Sequence, residues 1–243
     1  MIKILLRGLI PLALTFPNVS FAFRLSPMVI HFSPTGSGTT QVLTLENPGG
    51  EKTPIQIEAF TRTENEKGEE VRKKTDDFTI YPEQVVLLPN EKRNVRVTWS
   101  GEITASEKSY RIIASQLPVE FRDRNSKPKK PGVNLNFLLQ YVASAYVTPE
   151  GAVAKIKVKE IKHLDAKKIS VTVINEGAAH KVLKVKKLKL FAGEKLVSEV
   201  ENPKEFDGLN LLSGSQKNIV VHSAKEIIGS PNRGELELAE IGD

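Results

Sequence analysis

The sequence predicts an all-β protein made of two β-sandwiches, held at a fixed angle with a cleft between them. Apolar residues recur with period two rather than 3.6 along most of the chain, the pattern of half-buried strands. The alternating runs are short and separated by turn signals, as in a sandwich. The length of 243 residues suits one large domain or two small ones, and the strand-and-turn style restarts after Pro149. No amphipathic helix longer than a turn or two is readable.

The first 22 residues stand apart. Lys3 and Arg7 precede a mostly apolar stretch from Leu9 to Phe16, and Ser20 and Ala22 place small residues where a signal peptidase inspects the chain. This reads as a secretory signal peptide cleaved after Ala22. Its apolar run is too short to span a bilayer, so the expected destination is a bacterial periplasm.

The first sandwich is expected over residues 23–149. Residues 29–32 open it and end at Ser33-Pro34-Thr35-Gly36, and residues 41–46 alternate up to Asn47-Pro48-Gly49-Gly50. Residues 54–63 alternate again. Residues 64–77 are dominated by charge and read as a solvated hairpin loop. Residues 78–81 stop at Pro82, and residues 85–88 are expected to meet residues 95–99 across the turn 89–93. A strand over 110–117 ends at Pro118. A basic loop broken by Pro128 and Pro131 follows, then the longest apolar strand, 133–147.

The second sandwich is expected over residues 150–243, with strands at 154–158, 169–174, 182–191, 196–200, 219–221 and 235–238. The junction at Thr148-Pro149-Glu150-Gly151 is too short for a free tether, hence the fixed angle. Clefts between domains are a common place for ligands.

Composition excludes several classes of function. Cys is 0, which removes disulfides, thiolate metal sites and cysteine nucleophiles. His31, His163, His180 and His222 show no metal-ligand spacing. Asp76-Asp77 and Glu69-Glu70 belong to the charged hairpin, Ser37 sits in a glycine turn, and no nucleophile elbow or phosphate-binding glycine loop is present. The expectation is a binding protein, not an enzyme, with no cofactor and no metal. The formal charge is +6. Its lysines in 151–200 alternate with Val, Ile and Leu, which describes the wet face of strands and protected edges. Nucleic acid is therefore not an expected partner, and no segment is expected to embed in a membrane.

The long strand has a marked pattern. Val133, Leu135, Phe137 and Leu139 share one face, and Asn134 and Asn136 lie on the other. Two readings are open: this face packs inward as ordinary core, or it is held out for another protein.

Several motifs in order now point to a family. Asp77-Phe78-Thr79-Ile80-Tyr81-Pro82 is followed by Val86-Leu87-Leu88-Pro89 and Asn94-Val95-Arg96-Val97. Tyr110-Arg111-Ile112-Ile113 and Gln116-Leu117-Pro118 come next. Over residues 25–150 this resembles the periplasmic chaperones of the chaperone–usher pathway, the PapD-like family. Over 151–243 the likeness is architectural. The resemblance implies two immunoglobulin-like domains and a client that is a pilus or fimbrial subunit lacking its last strand. Val133, Leu135, Phe137 and Leu139 would then lend the missing strand, and an outer-membrane usher would receive the loaded subunit without ATP. Burying four such side chains is worth about 6–12 kcal/mol before association costs. Arg96 matches the strand motif, beside a plainer reading as a polar residue on an outer face.

The resemblance also implies two basic residues that hold the subunit's C-terminal carboxylate. Their positions fall at Met28 and Ser144, and neither is basic. Three explanations stay open: Arg24 reaches the cleft, Lys155 or Lys157 serves, or strand addition acts alone. Glu107 resembles an acid of the family's interdomain ion network, whose arginine partner falls at Thr148, beside a plainer reading as a solvated turn residue. Two other readings remain beside this one: a secreted two-domain structural or adhesive module, and a chaperone-like relative with a non-pilin client.

Overall fold

The computed structural model describes residues 23–65, 68–119 and 137–239. The expected signal peptide, the basic proline-broken loop, and Val133 and Leu135 lie outside the described residues.

The first sandwich contains β1 (Arg24–Ser26), β2 (Val29–Phe32), β3 (Thr40–Glu46), β4 (Thr53–Glu64), β5 (Glu70–Lys74), β6 (Phe78–Tyr81), β7 (Gln84–Leu87), β8 (Lys92–Trp99), β9 (Lys108–Gln116) and β10 (Gln140–Val147). One sheet has the order β1-β3-β8-β6, and the facing sheet the order β2-β10-β9-β4-β5, with β7 also on β4. Period-two patterning explains the packing between them. Along β8, Val95, Val97 and Trp99 are buried while Asn94 and Arg96 face water. They meet Ile55, Ile57, Ile112, Ala143 and Ala145 of the other sheet in one core.

Two expectations are corrected here. β7 does not pair with β8; it pairs with β4, with Val86 opposite Pro54, while β8 lies between β3 and β6. The turn after Leu87 carries the chain from one sheet to the other. The buried amide of Asn47 pins that crossover, donating to the carbonyls of Glu51 at 2.7 Å and Leu88 at 3.0 Å. The charged stretch 64–77 is also more than a solvated loop. Its residues 70–74 form β5 and extend the sheet along β4.

The second sandwich contains β11 (Ile156–Asp165), β12 (Lys168–Asn175), β13 (Lys181–Val182), β14 (Val185–Ala192), β15 (Lys195–Glu201), β16 (Asn210–Leu211), β17 (Gln216–His222) and β18 (Arg233–Leu238). The sheets run β11-β12-β17 and β15-β14-β18, with β13 paired to β16. Its separate core includes Ile169, Val171, Leu188, Leu190, Phe206 and Val221. β11 extends beyond its expected end at 158. Register shifts after Val158 and after His163 interrupt its alternation, so the period-two signal fades there.

Three ties cross between the sandwiches among the described residues. The Glu107 N–H donates to the Ala178 carbonyl at 2.8 Å, and the Glu107 carboxylate also meets His180. Asn210 donates to the Tyr146 hydroxyl at 2.6 Å. The Lys217 ammonium donates to the Gly68 carbonyl at 2.6 Å and lies 2.8 Å from Glu64. Between them is a cleft of about 1090 Å³ lined by both sandwiches.

Candidate functional site

β10 is the strand on which the site is built. From Ser144 to Val147 it lies between β9 and the parallel β2. From Gln140 to Ala143 it pairs with β9 alone, so its other edge has no strand partner among the described residues. An unpaired edge offers backbone donors and acceptors to another chain.

The expected strand 133–147 therefore begins, within the described residues, at Gln140. Residues 137–139 are not in the ladder, although the Gln116 N–H donates to the Leu139 carbonyl at 2.8 Å. The cause lies in the neighbouring strand. β9 ends at Gln116, Leu117 donates to the Pro54 carbonyl, and Pro118 has no N–H to continue a ladder. The two described donor residues differ in setting. Phe137 is 79% exposed, whereas Leu139 packs with Tyr141 against the core of its own sandwich.

Across the sheet from this edge, on β9, β4 and β5, lies a cluster of guanidinium groups. Arg111 of β9 is the cross-strand partner of Ser144, and its guanidinium donates to the Ser144 hydroxyl. The same group makes a forked pair with Glu70 of β5. Arg72 donates to Glu70 as well. Nε of Arg62 lies 2.9 Å from Glu70 but off the hydrogen-bond axis, and Arg62 donates to the Tyr146 hydroxyl at 3.1 Å. Burial alone would raise the pKa of Glu70. Hydrogen bonds from Arg111 and Arg72, with the charges of Arg111 and Arg62, outweigh that and hold it at about 2. One carboxylate thus organises three arginines.

The other candidates sit elsewhere. Met28 is exposed, and its carbonyl accepts from Ser144 N–H. Arg24 belongs to β1, in the opposite sheet. Lys157 is paired with Glu176 at 2.6 Å. The exposed Lys155 has its backbone N–H held by Asn175. Glu107 lies on the seam between the sandwiches. Its carboxylate, 1% exposed, accepts from Thr148 Oγ1 at 2.7 Å, from the His180 backbone N–H at 3.1 Å and from His180 Nδ1 at 2.7 Å. Arg62, Glu70 and His180 carry no sequence signal of their own, because cross-strand and cross-domain neighbours are not encoded in spacing. Arg111 lies within the Tyr110-Arg111-Ile112-Ile113 motif, whose pattern gives it no role of its own.

With this geometry in view, the comparisons decide the family. Residues 23–151 match the family model described as the pili and flagellar-assembly chaperone, PapD N-terminal domain. The chain belongs to this family. It is a divergent PapD-like chaperone. Solved structures share its two-domain fold. The class 5 fimbriae chaperone CfaA has a TM-score of 0.56 at 16% identity, covering 89% of this chain and 98% of that one. The Escherichia coli chaperone DraB has 0.54 at 14%, covering 91% and 97%. A chain of the Acinetobacter baumannii CsuC–CsuE chaperone–tip subunit pre-assembly complex has 0.52 at 14%, covering 81% and 89%. At these identities the likeness shows the fold alone. No curated protein matches the sequence. No helix among the described residues is long and apolar enough to cross a membrane.

Proposed function

We propose that this PapD-like chaperone, exported to the periplasm by residues 1–22, caps incomplete pilus or fimbrial subunits and delivers them to an outer-membrane usher. Val133, Leu135, Phe137 and Leu139 enter the subunit's groove as its missing strand, and the edge of β10 pairs with the subunit backbone. The single observation that carries this reading is the edge of β10 at residues 140–143, unpaired among the described residues and running into an exposed Phe137. Fold relatives have been solved with their clients: the A. baumannii CsuC–CsuE complex with a tip subunit and a Salmonella enterica SafA pilin with the SafB chaperone. Release follows exchange with another subunit's strand and uses no cofactor.

Arg111 supplies the cation for the subunit's terminal carboxylate. The resemblance expects a lysine at Ser144, and the Arg111 guanidinium reaches the Ser144 hydroxyl from the adjacent strand. That contact with Ser144 supports a cation contributed by β9 instead of β10. Arg62 adds a second guanidinium. Charge-assisted hydrogen bonds of this type contribute about 1.5–3 kcal/mol.

Affinity isolation of the mature protein from its native periplasm, with partners identified by mass spectrometry, tests the reading. The wild type is expected to retain a small β-rich subunit that the variant Phe137→Asp/Leu139→Asp loses while keeping its circular dichroism. A subunit retained by both moves the binding site off this strand. Recovery of no partner under pilus-expressing conditions favours an adhesive module.

A further inference from the structure

The arginine cluster shares its sheet face with a second acid. Alternation along β4 puts Arg62 and Glu64 on one face, and their cross-strand partners on β5 are Arg72 and Glu70. Glu64 and Glu70 therefore stand directly opposite each other, an arrangement that is destabilising when both carry bare charge. Each is satisfied from a different sandwich. Arg111, Arg72 and Arg62 surround Glu70 from within the first. Lys217 of β17 holds Glu64 from the second. Its ammonium lies 2.8 Å from the Glu64 carboxylate and donates at 2.6 Å to the carbonyl of Gly68, between β4 and β5.

We propose that Lys217 is a positioning residue for the anion site of the first sandwich. It occupies the charge of Glu64, keeps that acid off Arg62, and so sets how strongly the site takes a client's terminal carboxylate. This role rests on the carboxylate reading of Arg111 given above. Lys217 acts through Glu64 and belongs to the other domain, so it need not touch the client.

The charge count shows what is at stake. Three guanidinium groups face one carboxylate, Glu70, which leaves two cations in excess. Glu64 set loose would reduce that excess to one. Its carboxyl is only 12% exposed, too little for water to replace a lost cation cheaply. The nearest cation on its own face is Arg62, two residues or about 7 Å along the strand. The buried Nε–H of Arg62 has no hydrogen-bond acceptor of its own, while another nitrogen of the group donates to Tyr146. Arg62 is thus ready to accept Glu64 as a partner. The other lysines around the cleft are worse placed. Lys159 is exposed and donates to Gln216, and alternation along β9 puts Lys108 on the face opposite Arg111.

The test has two readouts, taken on the mature protein. The first needs no ligand and follows the arginine Nε–H signals by proton–nitrogen correlation NMR. In Lys217→Gln the Arg62 signal is expected to move downfield as it gains Glu64 as acceptor. In Glu64→Gln/Lys217→Gln it is expected to return to the wild-type position, and in Lys217→Arg it should not move. An Arg62 signal unmoved by Lys217→Gln, or not restored in the double variant, overturns the proposal. The second readout is calorimetry with a synthetic peptide copying the C-terminus of the recovered subunit, as free acid and as amide. Lys217→Gln is expected to shrink the preference for the free acid about three- to tenfold, with amide binding unchanged, and the double variant to restore it. A preference kept in full by Lys217→Gln overturns the proposal and leaves the carboxylate reading intact. A wild type with no preference sinks the carboxylate reading, while the Arg62 signal still judges Lys217. Should Lys217→Gln fail to fold, Glu64→Gln alone replaces it. With Glu64 already held by Lys217, that variant must leave the Arg62 signal and the preference at their wild-type values, and a change in either overturns the proposal.

Discussion

The two sandwiches carry their charge in opposite ways. Residues 23–150 hold 17 basic and 16 acidic side chains, while residues 151–243 hold 16 and 13. By count, the second sandwich is the basic one. By arrangement, the first is. Its Arg62, Arg72 and Arg111 converge on the single carboxylate of Glu70. In the second sandwich lysines each pair with one or two acids along the surface: Lys157 with Glu176, Lys162 with Glu160, Lys187 with Glu199 and Glu201, Lys189 with Glu237. Edges follow the same division. Among the described residues β10 has no strand partner on one side from Gln140 to Ala143, whereas β11 is interrupted by two register shifts and lined with exposed lysines, features that discourage strand addition. Net charge does not distinguish the two sandwiches; the convergence of charged groups does.

The comparison breaks most readily at Arg111. If the first sandwich owes its role to converging cations, Arg111→Gln should weaken capture of the subunit by about 10- to 100-fold, the equivalent of 1.5–3 kcal/mol. The strand itself should remain able to pair. Titration calorimetry with a peptide spanning the subunit's C-terminus, compared with its amidated form, reads this directly. Amidation should cost the wild type as much as Arg111→Gln does, and should cost the variant nothing further. Equal loss on amidation in both proteins would place the carboxylate site elsewhere.

Why the sequence disclosed the strand and not the cluster follows from the physics of each. Period-two alternation is local, so β3, β8 and the buried half of β9 were readable from their own residues. Partner choice is not local. Residues 85–88 looked like a mate for residues 95–99, yet a turn between two strands serves equally well as a crossover between sheets, and β7 went to β4. β5 was hidden for a different reason. As an edge strand with β4 on one side only, it buries no apolar face, and Glu70, Arg72 and Lys74 read as solvated charge. Arg111 and Ser144 are 33 residues apart and meet only through the β9–β10 register. The same holds for Glu107 and His180, 73 residues apart across a domain boundary.

Glu70 sharpens the comparison through acid. Its pKa is depressed from the ordinary carboxylate value to about 2. A carboxylate whose folded pKa is lowered contributes stability that is fully present above its unfolded value. That stability is lost as pH falls toward the folded value, here between about 4.5 and 2. Glu70→Gln should therefore destabilise the first sandwich near neutral pH and flatten its acid-unfolding profile within that window. The core of the second sandwich should be unaffected. Denaturant titrations followed at Trp99, which lies in the first sandwich, isolate the effect. An unchanged acid profile in Glu70→Gln would mean that the arginines hold their geometry without it.

The smallest effect belongs to the second sandwich. Lys187 touches both Glu199 and Glu201 and has its pKa raised by hydrogen bonds to those two acids, so by contact it resembles Glu70 with the signs reversed. The difference is water. The pairs lie on an outer sheet face, with Glu201 largely exposed. Ion pairs in that setting contribute a small increment that fades with salt. Lys187→Gln should lower thermal stability by no more than that, with the difference vanishing in concentrated sodium chloride, and should leave subunit capture unchanged. A loss of capture comparable to that of Arg111→Gln would collapse the distinction between the sandwiches and make the basic surface of the second a part of the binding face.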